Sequence, residues 1–261
     1  MARVAIVGAG AMGEAIIAGM VNAGHDPADI GIIEKRTERG DELIARYGVT
    51  KLANLAGVST CFLVVKPNDL TATLESYRGE LADDALVISM VAGKPTALIE
   101  SLISQRVVRV MPNTPALVGA GMAAISAGAR ATAEDLDSVE RLLSGTGKVI
   151  RVDEPLQDAV TAVSGSGPAY FFLVVEAMIA AGKELGLTPE IATELTVQTL
   201  IGAGKMLAES GSDPQTLRTN VTSPNGTTAA ALKVLQDGDI KELFKKALQA
   251  ARDRSHELAS G

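Results

Sequence analysis

From residue 3 to about residue 152 the apolar positions come in short runs rich in β-branched side chains: VAIV at 4–7, IGII at 30–33, CFLVV at 61–65, LVISMV at 86–91, VVRVM at 107–111 and KVIRV at 148–152. A short, largely apolar run of that length suits a strand covered on both faces, as the strands of a parallel sheet are. Helical spacing fills the intervals, so this part of the chain is predicted to be a mostly parallel sheet with helices packed on it. GMAAISAG at 121–128 reads as one more strand near the edge of that sheet. Beyond Pro155 the strand pattern stops, and the rest reads as helices separated by GSGPAY, GLTP, GSDP, SPNG and DGD, each a turn or cap signal. An α/β domain over 1–154 and an all-helical domain over 155–261 are therefore predicted.

Candidate chemistry begins where the first run ends. VAIVGAGAMGEAIIAGMVNAG sets Gly8, Gly10 and Gly13 as G-x-G-x-x-G between a strand and an amphipathic helix ending near Gly24, with a second strand following. Glycines so placed permit a tight turn, close approach of the backbone to a pyrophosphate, and close packing of helix on strand. The free N–H groups and positive dipole end of the helix favour phosphates. The first domain is accordingly read as a Rossmann-type dinucleotide-binding domain, with Gly8, Gly10, Ala11, Met12 and Gly13 at the pyrophosphate. The second strand ends at Glu34, twenty-one residues after Gly13, where a carboxylate accepts hydrogen bonds from an adenosine ribose and favours NAD. Lys35, Arg36 and Arg39 follow at once and offer a cradle for a 2′-phosphate. A solvated helix start would explain the same charges. The reading adopted is NADP (NADPH), with NAD tolerated.

Composition and charge then remove several function classes. At 261 residues and 47% apolar the chain can build a full core, and a net charge of -7 has the wrong sign for neutralising nucleic-acid phosphates. The single cysteine, Cys61, sits in an apolar run and is read as a buried thiol. His25 and His256 are the only histidines, so no metal site of the His type and no Ser-His-Asp set is predicted. Hydride transfer to an activated acceptor asks little of side-chain acids and bases and fits this scarcity. GAGK at 202–205 and GTGK at 145–148 lack the spacing of a P-loop. The first residues lack a signal-peptide core, and FFLVVEAMIAAG, broken by Glu176, reads as too short to span a bilayer. A soluble, cytoplasmic protein bound to neither nucleic acid nor membrane is expected.

The second candidate site is NVTSPNGTTAAAL at 220–232. Pro224, Asn225 and Gly226 form a turn, and Thr227 or Thr228 is a natural cap for the helix that follows. Capping alone would account for the hydroxyls. The same geometry also gathers backbone N–H groups, two threonine hydroxyls and Ser223 around one helix N-terminus, a set of neutral donors suited to a carboxylate.

Together and in this order, VGAGAMGEAIIAG, VVKPND, RVMPNTPALVGAGM, SGSGPAY and VTSPNGTTAAAL resemble pyrroline-5-carboxylate reductases across nearly the whole chain. The resemblance implies NAD(P)H-dependent reduction of the cyclic imine L-1-pyrroline-5-carboxylate to L-proline, the last step of proline biosynthesis. It implies a Rossmann-type domain followed by a helical substrate-binding and dimerisation domain. The active site would form between one subunit's cofactor and its partner's helical domain, in homodimers that assemble into decamers. By residue, it implies that Ser223, Gly226, Thr227 and Thr228 hold the carboxylate and ring, with the Thr228 hydroxyl close to the imine nitrogen as the catalytic group. It implies Val65, Lys66, Pro67, Ala92 and Asn113 around the nicotinamide, and Asn54 near the adenosine phosphate. Asn220 would reach the cofactor from the partner subunit, and Glu154 would lie near the substrate. Glu34, Lys35 and Arg36 depart from the small polar residues many members carry there. Other readings with the same plan are a dehydrogenase of a different imine, one of a β-hydroxy acid that would need a lysine such as Lys183 or Lys205, and an NADP-binding sensor without turnover.

Overall fold

In the computed structural model, which describes residues 3–260, each of those apolar runs is a strand. The strands are β1 (Val4–Val7), β2 (Ile30–Ile33), β3 (Thr50–Lys51), β4 (Thr60–Leu63), β5 (Leu86–Ser89), β6 (Arg106–Met111), β7 (Gly121–Ala127) and β8 (Gly147–Arg151). They form one eight-stranded sheet in the order β3-β2-β1-β4-β5-β6-β7-β8. Neighbours from β3 to β6 run parallel, β7 is antiparallel to β6, and β8 is parallel to β7. GMAAISAG is thus the strand at which the sheet reverses, one place in from the edge. β3 was not foreseen: it is two exposed residues paired with β2, without an apolar run to announce it.

Why the central runs are so largely apolar is visible in the side-chain alternation. Val4 and Ile6 of β1, Phe62 of β4, Ile88 of β5 and Val108 of β6 join one core cluster. Ala5 and Val7, Cys61 and Leu63, Val87 and Val107 join the other, on the opposite face. With helices on both faces, nearly every position of a central strand is buried, and the one buried charge, Arg109 of β6, is paired with Glu154. Cys61 is the core thiol expected, and burial pushes its pKa up to about 12.

The first half carries α1 (Ala11–Asn22), α2 (Thr37–Tyr47), α3 (Leu70–Ser76), α4 (Thr96–Leu102) and α5 (Ala133–Leu143). α1 differs from the amphipathic helix predicted: only Ala11 and Asn22 of its twelve residues are exposed. The sheet covers one side, and the turns at 114–118 and 144–146 cover another, so no polar stripe is needed. After β8 come α6 (Gln157–Val160), a π-helical turn (Thr161–Gly165), α7 (Gly167–Glu184), α8 (Pro189–Glu209), α9 (Pro214–Asn220), α10 (Thr227–Asp237) and α11 (Ile240–Ser260). SGSGPAY therefore lies inside a helical run, with Pro168 as the second residue of α7. By its contacts the chain divides into one unit that runs to Pro168 and takes in the residues from Ala250 onward, and another over Ala169–Gln249.

One expectation is corrected here. The segment read as too short for a bilayer belongs to a helical run, Glu154–Glu184, of 31 residues. Its most apolar window has a mean hydropathy of 1.4 and is 11% buried within the chain, so by length and composition it passes for a membrane span. A single polar residue, Glu176, does not interrupt a helix, which is why the break read from the sequence is not one.

Candidate active site

The strand order reverses direction between β1 and β4, the point at which open α/β sheets form a crevice at the carboxyl ends of their strands. The chain leaves β1 through Gly8 at φ +92°, and a Cβ there would come within 2.5 Å of the Val64 carbonyl oxygen. Both the backbone angle and the close approach of β4 require glycine. Gly10, the N-cap of α1, has extended backbone, and a Cβ on it would meet nothing within 4 Å. No side chain caps α1, so its first N–H groups face this open space, flanked by exposed Ala11, half-buried Met12 and buried Gly13. An uncapped helix N-terminus beneath a space cleared of side chains fits the pyrophosphate of a dinucleotide.

Beside this turn stands the charged stretch after β2. The Glu34 carboxylate accepts the Ala9 N–H at 3.0 Å on Oε2, and the backbone N–H and Nε of Arg36 at 3.0 and 3.1 Å on Oε1. Burial works against its charge, yet the Arg36 backbone and guanidinium and the Ala9 N–H together hold its pKa below the ordinary value. Arg39, a candidate for the 2′-phosphate, is committed elsewhere: it donates to the Ala9 carbonyl at 3.3 Å, to Glu42 at 2.7 Å and to Glu14. Glu14 also accepts from Arg46 at 2.6 Å and from Tyr47 at 3.0 Å, which fastens α1 to α2. Lys35 and Arg36 remain exposed.

The residues implied for the nicotinamide side share the carboxyl edge of the sheet. Val65, Lys66 and Pro67 follow β4, Ala92 follows β5 and Asn113 follows β6. The Asn113 amide is fully engaged: Nδ2 donates to the Ser164 carbonyl and hydroxyl at 3.2 and 3.3 Å, and Oδ1 accepts the Met122 N–H at 2.9 Å. It ties the end of β6 to the start of β7 and to the π turn. Glu154 is likewise occupied. Its Oε1 accepts the Thr96 N–H at 2.7 Å and Nη1 of Arg109 at 3.3 Å, and its Oε2 accepts the Thr96 hydroxyl at 2.6 Å. The carboxylate thus caps α4 and neutralises the buried Arg109. Asn54 is exposed and accepts the Ala56 N–H at 3.1 Å in a local turn. Thr96, Arg109 and Ser164 were not singled out from the sequence; their partners lie 58, 45 and 51 residues away, and spacing carries no signal for such pairs.

In the other unit, the loop between α9 and α10 is a helix start without a side-chain cap. Gly226 is the N-cap, and Thr227 and Thr228 are the first two helical residues, so neither threonine caps the helix as was expected. Asn225 turns the chain at φ 58° and the Gly226 N–H donates to the Ser223 carbonyl at 3.1 Å. A Cβ on Gly226 would collide with the Ser223 hydroxyl, so that hydroxyl lies close against the turn. Ser223 and Thr227 are exposed, Thr228 is half-buried, and none of the three hydroxyls bonds to protein among the described residues. Asn220, the last residue of α9, is exposed. No group of three or more His, Cys, Asp or Glu side chains among the described residues could hold a metal ion.

A family model for pyrroline-5-carboxylate reductase dimerisation matches residues 154–258, and one for NADP oxidoreductase, coenzyme F420-dependent, matches residues 3–93. The chain is 42% identical over 267 residues to the pyrroline-5-carboxylate reductase of Corynebacterium melassecola, with 99% of each covered. This chain belongs to the pyrroline-5-carboxylate reductase family. A second pyrroline-5-carboxylate reductase, from Pseudomonas aeruginosa, is 40% identical over 98% of this chain and 97% of its own. Among solved structures, the Coxiella burnetii pyrroline-5-carboxylate reductase matches with a TM-score of 0.93 at 36% identity, over 99% of this chain and 98% of that one. The Plasmodium falciparum enzyme, solved with NADP bound, matches with a TM-score of 0.87 at 27% identity over the same shares.

Membership in the pyrroline-5-carboxylate reductase family makes the chain an NADP-dependent oxidoreductase and a homo-oligomer. The second property accounts for an otherwise anomalous surface. Phe171, Leu173, Leu195 and Leu243 on α7, α8 and α11 are all more than half exposed in the single chain and lie within the residues that the dimerisation family model matches.

Proposed function

We propose that the chain reduces L-1-pyrroline-5-carboxylate to L-proline at the expense of NADPH, the last step of proline biosynthesis, with NADH as a poorer donor. The observation that carries this reading is the uncapped start of α10, where unbonded hydroxyls stand around free N–H groups in a full-length relative of known reductases. A cyclic imine with a carboxylate needs such a site. The N–H groups of Thr227 and Thr228 and the Ser223 hydroxyl bind the carboxylate, Gly226 leaves room for the ring, and the Thr228 hydroxyl hydrogen-bonds the imine nitrogen and assists its protonation. Gly8, Gly10, Ala11, Met12 and Gly13 hold the pyrophosphate, Lys35 and Arg36 the 2′-phosphate, and Asn54 the adenosine side. Val65, Lys66, Pro67, Ala92 and Asn113 bound the nicotinamide. Bound NADPH supplies the hydride. A protonated imine is already a strong electrophile, so alignment provides much of the rate. Glu154 serves the substrate by fixing the turn at 92–96.

The working assembly is a cytoplasmic homodimer that builds decamers, its helical domain from residue 155 onward bringing Asn220 and the 223–228 loop of one copy to the nucleotide of the other. The test is loss of NADPH absorbance with purified protein and L-1-pyrroline-5-carboxylate. Stoichiometric proline is the expected result. No turnover by folded protein that binds NADPH would overturn the assignment.

A further inference from the structure

We propose that Glu34 is a positioning residue for NADPH: it holds the Arg36 guanidinium for the 2′-phosphate and does not itself accept from the adenosine ribose. The inference rests on the NADPH reading above and assigns the residue that makes Arg36 a phosphate ligand.

An acid at the end of the second strand ordinarily accepts from the ribose 2′-hydroxyl, and so selects NAD. To do this it must present an oxygen to the cleft. The Glu34 side chain is only 8% exposed, and three donors already occupy it: Ala9 N–H on Oε2, Arg36 N–H and Nε on Oε1. Arg36 shows the complementary state. Its side chain is 66% exposed and the carboxylate takes only the Nε edge, leaving Nη1 and Nη2 without a hydrogen bond among the described residues. Those groups form the fork that grips a phosphate bidentately. A guanidinium already held on one edge loses less rotamer freedom when the phosphate arrives.

The charges agree. An unpaired carboxylate beside a 2′-phosphate would repel it, but Glu34 is offset by Arg36, and the exposed Lys35, without an ion pair among the described residues, leaves the stretch net positive. Arg39 takes no part, being held by Glu14, Glu42 and the Ala9 carbonyl. Because Glu34 also binds the Ala9 N–H, the clamp is built onto the glycine turn itself and keeps the 2′-phosphate and pyrophosphate subsites in register.

The test is a set of dissociation constants measured by titrating NADPH, NADH, adenosine 2′,5′-bisphosphate and adenosine 5′-monophosphate into the full-length protein and three variants: Glu34→Gln, Arg36→Gln and the double substitution. Glu34→Gln is expected to weaken NADPH and the bisphosphate about tenfold, a loss of about 1.4 kcal/mol, with NADH and the monophosphate changed less than about twofold. Arg36→Gln, at an exposed side chain that leaves the fold intact, is expected to do the same. In the Arg36→Gln background, Glu34→Gln should cause no further loss, since a residue acting through another is not additive with it. Selective weakening of NADH by Glu34→Gln would overturn the proposal in favour of a ribose-binding carboxylate, as would additive losses of NADPH affinity in the double variant. Binding of neither dinucleotide by the unsubstituted protein would sink the NADPH reading as well, whereas NADPH binding untouched by Glu34→Gln would sink this inference alone.

Discussion

Thr228 and Ser223 lie in the same loop and helix start, and the proposed function gives them different tasks. Removing the Thr228 hydroxyl takes away the only proposed donor to the imine nitrogen but nothing from the nucleotide. Thr228→Ala should therefore lower kcat by about 10²–10⁴ while the NADPH dissociation constant moves less than about twofold; steady-state kinetics beside a nucleotide titration checks it. An equal fall in both would make the residue structural. Ser223→Ala removes one contact to an anion, and the KM for the imine should rise by the equivalent of about 1–3 kcal/mol with kcat little changed. The helix start at these residues was legible in the sequence, because a Pro-Asn-Gly turn before an alanine run announces one. The sequence misassigned the cap: a half-buried glycine with extended backbone takes that position, and both threonines move into the helix with their hydroxyls unused. Asn113 and Glu154 show the opposite limit. Both were named from resemblance, and what their side chains bind lies across the fold.

At the level of elements, the strand–turn–helix at the start of the chain separates two uses of glycine. Gly8 is demanded by the protein, since its positive φ alone costs about 1–2 kcal/mol in any other residue and β4 leaves no room for a Cβ. Nothing in the protein demands Gly10, whose backbone suits any residue and whose surroundings are open; in the proposed site the ligand does. Gly8→Ala should lower Tm by several degrees, whereas Gly10→Ala should leave Tm within about 2 °C and still weaken NADPH at least about tenfold. Thermal unfolding and nucleotide titration on both variants decide it; a stable Gly8→Ala protein with full affinity would refute the account of this turn. Elements with strong periodicity were all legible. β3 was not, because two exposed residues paired with β2 carry no pattern of their own, and α1 was misjudged because packing on two sides removes the polar stripe that periodicity looks for.

On the scale of the whole molecule, the helical portion exposes apolar side chains that a lone chain has no use for. Leu173, 65% exposed, can take a charge without cost to the fold of one chain, where surface changes stay within about 0.5 kcal/mol. Leu173→Asp should instead break the oligomer, and light scattering after gel filtration should report the mass of one chain with reductase activity lost. An unchanged mass would place the interface elsewhere. The same exposed side chains bear on the helical run that passes for a membrane span: length and hydropathy record that apolar surface must be covered, not by what.

What the sequence determined by itself was whatever depends on neighbours along the chain: the strand and helix pattern, the glycine turn, the helix start at 226–228, and a motif order specific enough to imply the family. Those features follow from backbone sterics and local periodicity, which are written into consecutive residues. The tertiary structure alone decided which charges are free to act. Arg39 is spent on Glu14, Glu154 is spent on Thr96 and Arg109, and Glu34 is spent on Arg36 and the Ala9 N–H, because a partly buried carboxylate must find donors and finds them wherever packing brings them, near or far in sequence.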